Sequence, residues 1–206
     1  MKKLILLCLY FVSLFLLSCK KDKIGSQGIT LKVDGQLTEG VADNPAGYGL
    51  GYSICTTSDC YAGYGGGYSV GTSANIQITL GQIKSPQGHL SFEDFKSLFK
   101  PGARQFDSLM VLGQLNSDRV EVQYIERSGK RWSTTKEYYD TGGNLVRIIN
   151  QPASSFVVDE VEEVKVDGRV GGVKFAGRFN CILYERGGNG QKIITDATFI
   201  TKVTMH

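Results

Sequence analysis

Between Val173 and Leu183 the chain reads VKFAGRFNCIL, in which Val173, Phe175, Gly177, Phe179, Cys181 and Leu183 alternate with Lys174, Ala176, Arg178, Asn180 and Ile182. Successive side chains of a strand point to opposite faces, so this spacing predicts a long strand with one buried face, not a helix. The same period of two joins Ile76, Ile78 and Leu80; Val120, Val122 and Tyr124; and Phe156 and Val158. Turn chemistry punctuates these runs. Arg127-Ser128-Gly129-Lys130 is placed to link a strand over Val120–Glu126 to one over Arg131–Thr135, and Asp140-Thr141-Gly142-Gly143-Asn144 and Gly187-Gly188-Asn189-Gly190 supply hairpin positions with positive φ. Many short strands with regular turns define an all-β fold: a single antiparallel β-sandwich or barrel.

One helix interrupts this pattern, over about residues 91–100. Ser91-Phe92-Glu93-Asp94 has the form of a capping arrangement, Phe92, Phe95, Leu98 and Phe99 share one helical face, and Pro101-Gly102 ends it. Its apolar face is expected to plug or cover the β core. In FVVDEVEEVKVDG the alternation breaks between Val161 and Val164, which predicts a β-bulge near Glu162-Glu163. The acidic residues Asp159, Glu160, Glu162 and Glu163 fit a solvated strand edge better than a calcium site, because neighbouring strand residues diverge.

The N-terminus carries an address. Met1-Lys2-Lys3 precedes an apolar run from Leu4 to Leu17 that is too short for a transmembrane helix and is followed at once by Lys20, Lys21 and Lys23. Leu16-Leu17-Ser18-Cys19 resembles the lipobox of bacterial lipoproteins. The resemblance implies cleavage before Cys19 and diacylglycerol on its thiol, with acyl chains of the palmitate type. Each buried CH₂ contributes about 0.8 kcal/mol, so two or more chains anchor stably. Residues 1–18 are then a signal peptide, 19–27 a lipidated cysteine and tether, and 28–206 one β domain. Lys20 after the cysteine favours the outer membrane, on its periplasmic or its cell-surface face.

Loss of residues 1–18 removes Lys2 and Lys3 and lowers the formal net charge from +3 to about +1. A chain so balanced lacks the basic face that a nucleic-acid partner calls for. The cysteines left to the fold are Cys55, Cys60 and Cys181. Export implies an oxidising compartment, and Cys55 and Cys60, in CTTSDC, are spaced for a loop disulfide, whereas Cys181 falls on the inward face of its strand as a free thiol. Metal ligation at the pair is disfavoured because the chain has only His89 and His206 to complete a site. The same scarcity argues against a Ser-His-Asp site, and GYGGGYS and GYGLGY lack the context of a phosphate-binding loop. No cofactor is expected. Paired carboxylates for hydrolysis stay open, since their separation is not visible in sequence.

The segment Gly47–Gly71 sets Tyr48, Tyr52, Tyr61, Tyr64 and Tyr68 among glycines. These rings are candidates for stacking on sugar faces; the competing reading packs them half-buried on a sheet.

GKRWSTTKE, QPASSFVV and VGGVKFAGRFNCILYERGGNGQKIITDATFITKV, with the opening ITLKVDGQL, resemble a group of uncharacterised Bacteroidota outer-membrane lipoproteins that share G-x-x-W-S-T, Q-P…S-F and G-x-F-N-C-x-L-Y motifs. Ala197-Thr198-Phe199 stands where a glycine-phenylalanine pair is usual. The resemblance implies an all-β domain in a diderm envelope and transfers no catalytic residue. The leading expectation is therefore a non-enzymatic envelope lipoprotein, a binding or assembly module. Its partners are the membrane, through Cys19, and a glycan or an envelope protein. The alternatives are a glycan-binding accessory protein using residues 47–71, and a carboxylate-dependent hydrolase.

Overall fold

The computed structural model describes residues 26–42, 50–55, 59–71, 74–86, 91–107, 118–166 and 168–204; for 50–55, 59–65, 82–86, 166, 169 and 170 only the backbone is described. Its strands are β1 (Gly28–Val33), β2 (Gln36–Ala42), β3 (Leu50–Cys55), β4 (Asp59–Val70), β5 (Ala74–Pro86), β6 (Gly102–Phe106), β7 (Arg119–Glu126), β8 (Arg131–Ser133), β9 (Lys136–Tyr139), β10 (Leu145–Ile148), β11 (Ser155–Val166), β12 (Arg169–Glu185) and β13 (Gln191–Thr204), with one helix, α1 (Phe92–Ser97). Strand pairing runs β1-β2-β4-β5-β7-β6-β11-β12-β13 and returns to β1, so the sheet closes on itself as a barrel. The strand β8 bridges β7 and β12 at one end, and β3 pairs with β4 outside the ring. One pairing departs from the antiparallel expectation: β6 runs parallel to β7.

Alternation along the strands decides what lies inside. On β12, Val173, Phe175, Phe179, Cys181 and Leu183 are all buried, as the period of two requires. They meet Ile76, Ile78 and Leu80 of β5, Val120 and Val122 of β7, Phe156 and Val158 of β11, and Phe199 and Val203 of β13 in one core. Rings fill the middle. Phe199 lies 5.4 Å from Phe156, 5.7 Å from Phe175 and 6.1 Å from Phe179. A side chain at Gly177 has no room: a Cβ there would sit 2.4 Å from the Val157 carbonyl oxygen and 2.7 Å from the Phe199 ring. The outward positions Lys174, Arg178, Gln77, Thr79, Thr198 and Lys202 are polar and partly or fully exposed. This is a barrel with an apolar, packed interior and an exterior suited to water, the reverse of a transmembrane barrel.

Extra residues in β11 and β13 keep this parity. The register of β11 on β12 shifts between Val158 and Glu160, so the bulge falls at Asp159 and not at Glu162-Glu163 as the sequence suggested; a second irregularity lies between Val164 and Lys165. The shift at Asp159 brings Val161 opposite the inward Phe175, where it packs against the core. On β13 the bulge is at Thr195-Asp196, with Asp196 at φ +53°, and it lets both Ile194 and Ala197 point inward.

The helix α1 forms as its cap predicts: the Ser91 hydroxyl accepts from the Asp94 N–H at 3.1 Å, and the Asp94 carboxylate accepts from the Ser91 N–H at 3.2 Å. Phe95, Leu98 and Phe99 are fully buried, and Phe99 packs against Phe175 with ring centroids 4.9 Å apart and the rings tilted by 45°, which closes one end of the barrel. The buried Arg104 guanidinium donates to the carbonyls of Leu98 (3.0 Å) and Lys100 (2.7 Å) just past the helix, and Lys96 pairs with Glu163 of β11. At the other end Trp132 is buried beneath two ammonium groups, Lys130 Nζ at 4.7 Å and Lys192 Nζ at 4.8 Å from its ring.

Trp132-Ser133-Thr134 and Gln151 tie neighbouring strands together. In Trp132-Ser133-Thr134, Trp132 Nε1 donates to Glu126 (3.1 Å), Ser133 Oγ donates to Glu121 (2.8 Å), and Thr134 Oγ1 accepts from the Val122 N–H (3.2 Å). The Gln151 amide donates to the Thr134 and Ile182 carbonyls and accepts from the Ile182 N–H, acting as a missing piece of ladder between β8 and β12.

Candidate functional site

Of the residues singled out in the sequence, Cys19, Tyr48, His89 and His206 lie outside the described residues. Cys55 and Cys60 are directly opposed in the antiparallel β3–β4 pair, and their side chains lie outside the description. Among the described residues there is no disulfide; Cys181 is a buried free thiol whose pKa is driven up by burial. No grouping of His, Cys, Asp and Glu able to hold a metal occurs among the described residues, and no helix there is long and apolar enough to cross a membrane.

Of Tyr48, Tyr52, Tyr61, Tyr64 and Tyr68, only Tyr68 has a described side chain. Tyr68 is fully buried in the barrel core, with burial raising its pKa and the neighbouring Thr201 tempering that rise, so it presents no face to a ligand. Its hydroxyl makes no hydrogen bond of ordinary geometry. Glycine on β4 explains the placement in part: a side chain at Gly66 would collide with Thr201 Oγ1 at 2.9 Å, so bare backbone makes room beside this tyrosine. Tyr52 and Tyr64 pair with Gly63 and Gly51, and Tyr61 with Ile54, across β3–β4; only their backbones are described.

A different aromatic surface is exposed instead. The hairpin β9–β10 is not part of the barrel sheet, and it carries Tyr138, Tyr139, Leu145, Ile148 and the adjoining Ile149 on its exposed surface. Tyr139 is 73% exposed, the most of any large apolar side chain among the described residues. The hairpin is ordered by Asp140, whose carboxylate accepts from the N–H groups of Gly142 (2.9 Å) and Asn144 (2.8 Å); those bonds hold its pKa below the usual carboxylate value. Gly143 takes the left-handed position, φ +80°.

Cross-strand pairing puts Tyr139 opposite Leu145 and Glu137 opposite Arg147 on one face of this hairpin. That face and the β12–β13 turn form the walls of a groove, lined by Glu137, Tyr138, Tyr139, Leu145, Arg186, Gly187, Gly188 and Asn189. Glu137 is the pivot: its carboxylate takes Arg147 Nε at 2.8 Å on one oxygen and Arg186 Nε at 3.1 Å on the other. The turn itself is tied back to β8 by the Arg186 N–H donating to the Arg131 carbonyl at 2.9 Å.

Glu137 and Arg186 also line a second, narrower slot with Glu121, Gln123, Arg131 and Ser133. Glu121 is buried there on the outer wall, accepting from Ser133 Oγ (2.8 Å) and Gln123 Nε2 (3.1 Å). The slot has room for about one water molecule. Glu121 and Glu137 therefore line one narrow slot on the outer wall.

Sequence reasoning missed this groove, although one signal was present. Tyr138 and Tyr139 are adjacent on a strand, so they face opposite ways, and with Leu145, Ile148 and Ile149 they give the hairpin more apolar surface than one face can bury.

Compared with protein-family models, with curated proteins and with solved structures, the chain matches none. Fold and surface define it by themselves: a closed, packed β-barrel with a separate aromatic hairpin standing beside one of its turns.

Proposed function

We propose that the protein is a non-catalytic envelope lipoprotein, held at the outer membrane through Cys19 and binding its partner with the outer surface of the barrel. The observation that carries this reading is the division of labour in the side chains. Residues that fill the barrel leave packing in place of a lumen, whereas Tyr139, Leu145 and Arg186 stay exposed beside an ordered hairpin. The N-terminal address and the likeness of the motifs to Bacteroidota lipoproteins support the location.

The test is incubation of the chain without its lipid anchor, residues 20–206, with isolated outer membranes and their polymers. The chain is expected to be retained without releasing products. Product release that is lost in both Glu121→Gln and Glu137→Gln would make it a hydrolase.

The opposition of Cys55 and Cys60 supports a cross-strand disulfide at the end of β3–β4. Opposed antiparallel residues have Cα atoms about 4.5–5.5 Å apart, inside the roughly 4.4–6.8 Å window of disulfides. Thiol titration of the denatured, unreduced mature chain is expected to find one free cysteine, Cys181. Three free thiols would rule the bridge out.

A further inference from the structure

We infer that the groove between the β9–β10 hairpin and the β12–β13 turn is a carbohydrate site, taking the C–H face of a sugar ring on Tyr139 and its hydroxyls on Glu137, Arg186 and Asn189. This rests on the binding reading above and assigns its ligand class.

A sugar ring offers an apolar face and a rim of hydroxyls that each donate and accept. Its binding site needs an accessible aromatic face and paired acceptors and donors close by. Tyr139 supplies the face, since it is 73% exposed and stands at the end of a strand whose turn Asp140 fixes. Glu137 supplies acceptors and Arg186 donors. Arg186 meets the carboxylate through Nε at 3.1 Å, so the ion pair uses the inner edge of the guanidinium. With Glu137 only 13% exposed and held from two sides, both groups are positioned before a ligand arrives. Asn189 adds an amide that both donates and accepts.

Charge points the same way. The Glu137 carboxylate is met by both Arg147 and Arg186, so its charge is held within the cluster while guanidinium N–H groups are left for hydroxyl oxygens. The floor is bare backbone at Gly187 and Gly188: Gly187 takes φ +77°, and a Cβ at Gly188 would meet Glu185 at 2.4 Å. A flat ring can therefore come close to the turn.

The experiment is a glycan array probed with the detergent-solubilised mature chain, its Tyr139→Ala and Tyr139→Trp variants, and thermal unfolding of each as a control. The expected result is binding to a defined set of oligosaccharides, weakened about tenfold or more by Tyr139→Ala and kept by Tyr139→Trp, with unfolding unchanged. A silent array, or equal binding by Tyr139→Ala, overturns the carbohydrate assignment. If the array is silent but Tyr139→Ala still weakens retention on isolated outer membranes, the ligand class fails and the binding reading survives. Protease-sensitive retention would then identify a protein partner. If Tyr139→Ala changes neither, both readings fall.

Discussion

Phe199→Ala is expected to cost the barrel about 3–5 kcal/mol, the range for deleting a buried ring. Phe199 touches Phe156, Phe175 and Phe179 within 6.1 Å and seals the space over Gly177, so its loss opens a cavity that rigid strands on all sides cannot collapse. Single domains are stable by only about 5–15 kcal/mol, which makes this one side chain a large share of the total. Trp132 is the sole tryptophan and is buried where β8 bridges β7 and β12, so urea unfolding followed by its fluorescence reports on closure of the whole ring. Phe199→Leu is expected to cost about 1–1.5 kcal/mol, because most of the volume remains. A loss below 1 kcal/mol for Phe199→Ala would mean that the interior is not packed as described.

The second expected result concerns Cys19. With residues 1–18 exchanged for a conventional secretory signal and Cys19→Ala introduced, the chain should become releasable from membranes by washing, keeping only the weak, reversible association that the groove supplies. The reason is energetic: at about 0.8 kcal/mol per methylene, two or more acyl chains outweigh any adhesion the polar barrel wall can supply. The short tether carries no apolar segment to compensate, having KKDKIGSQG as its sequence. Association of the Cys19→Ala chain that resists washing would show that something other than lipid holds it there.

Local pattern was enough to read part of this molecule. The inward face of β12, the capping box at Ser91 and Asp94, the burial of Phe95, Leu98 and Phe99, and the turns at Gly129, Gly143 and Gly187 all follow from spacing and side-chain chemistry within a dozen residues. Closure was not readable, because sandwich and barrel share the same alternation. What decides between them is the long-range pairing of β1 with β13 and of β6 with β11. The bulge in β11 shows the same limit on a small scale. Alternation revealed that a residue was extra, but the register with β12 placed it at Asp159, ahead of the visible break.

The site was the least legible part. Tyrosines among glycines left an exposed platform and packing on a sheet both open; a tyrosine on a strand obeys parity, and Tyr68 falls on the inward side with Ile76 and Ala42 across from it. The groove residues come from three separate stretches, around Glu137–Tyr139, Leu145–Arg147 and Arg186–Asn189. Only the meeting of a hairpin outside the barrel sheet with a turn of the barrel brings them together.

Retention on isolated outer membranes, compared for the mature chain, Tyr139→Ala and Leu37→Ala, tests the outer-surface binding proposal most directly. Leu37 serves as the control because it is 66% exposed yet lies on β2, outside the groove. With the lipid anchor absent from all three chains, Tyr139→Ala should reduce retention about tenfold while Leu37→Ala leaves it unchanged. Equal retention of all three would contradict binding through the hairpin groove.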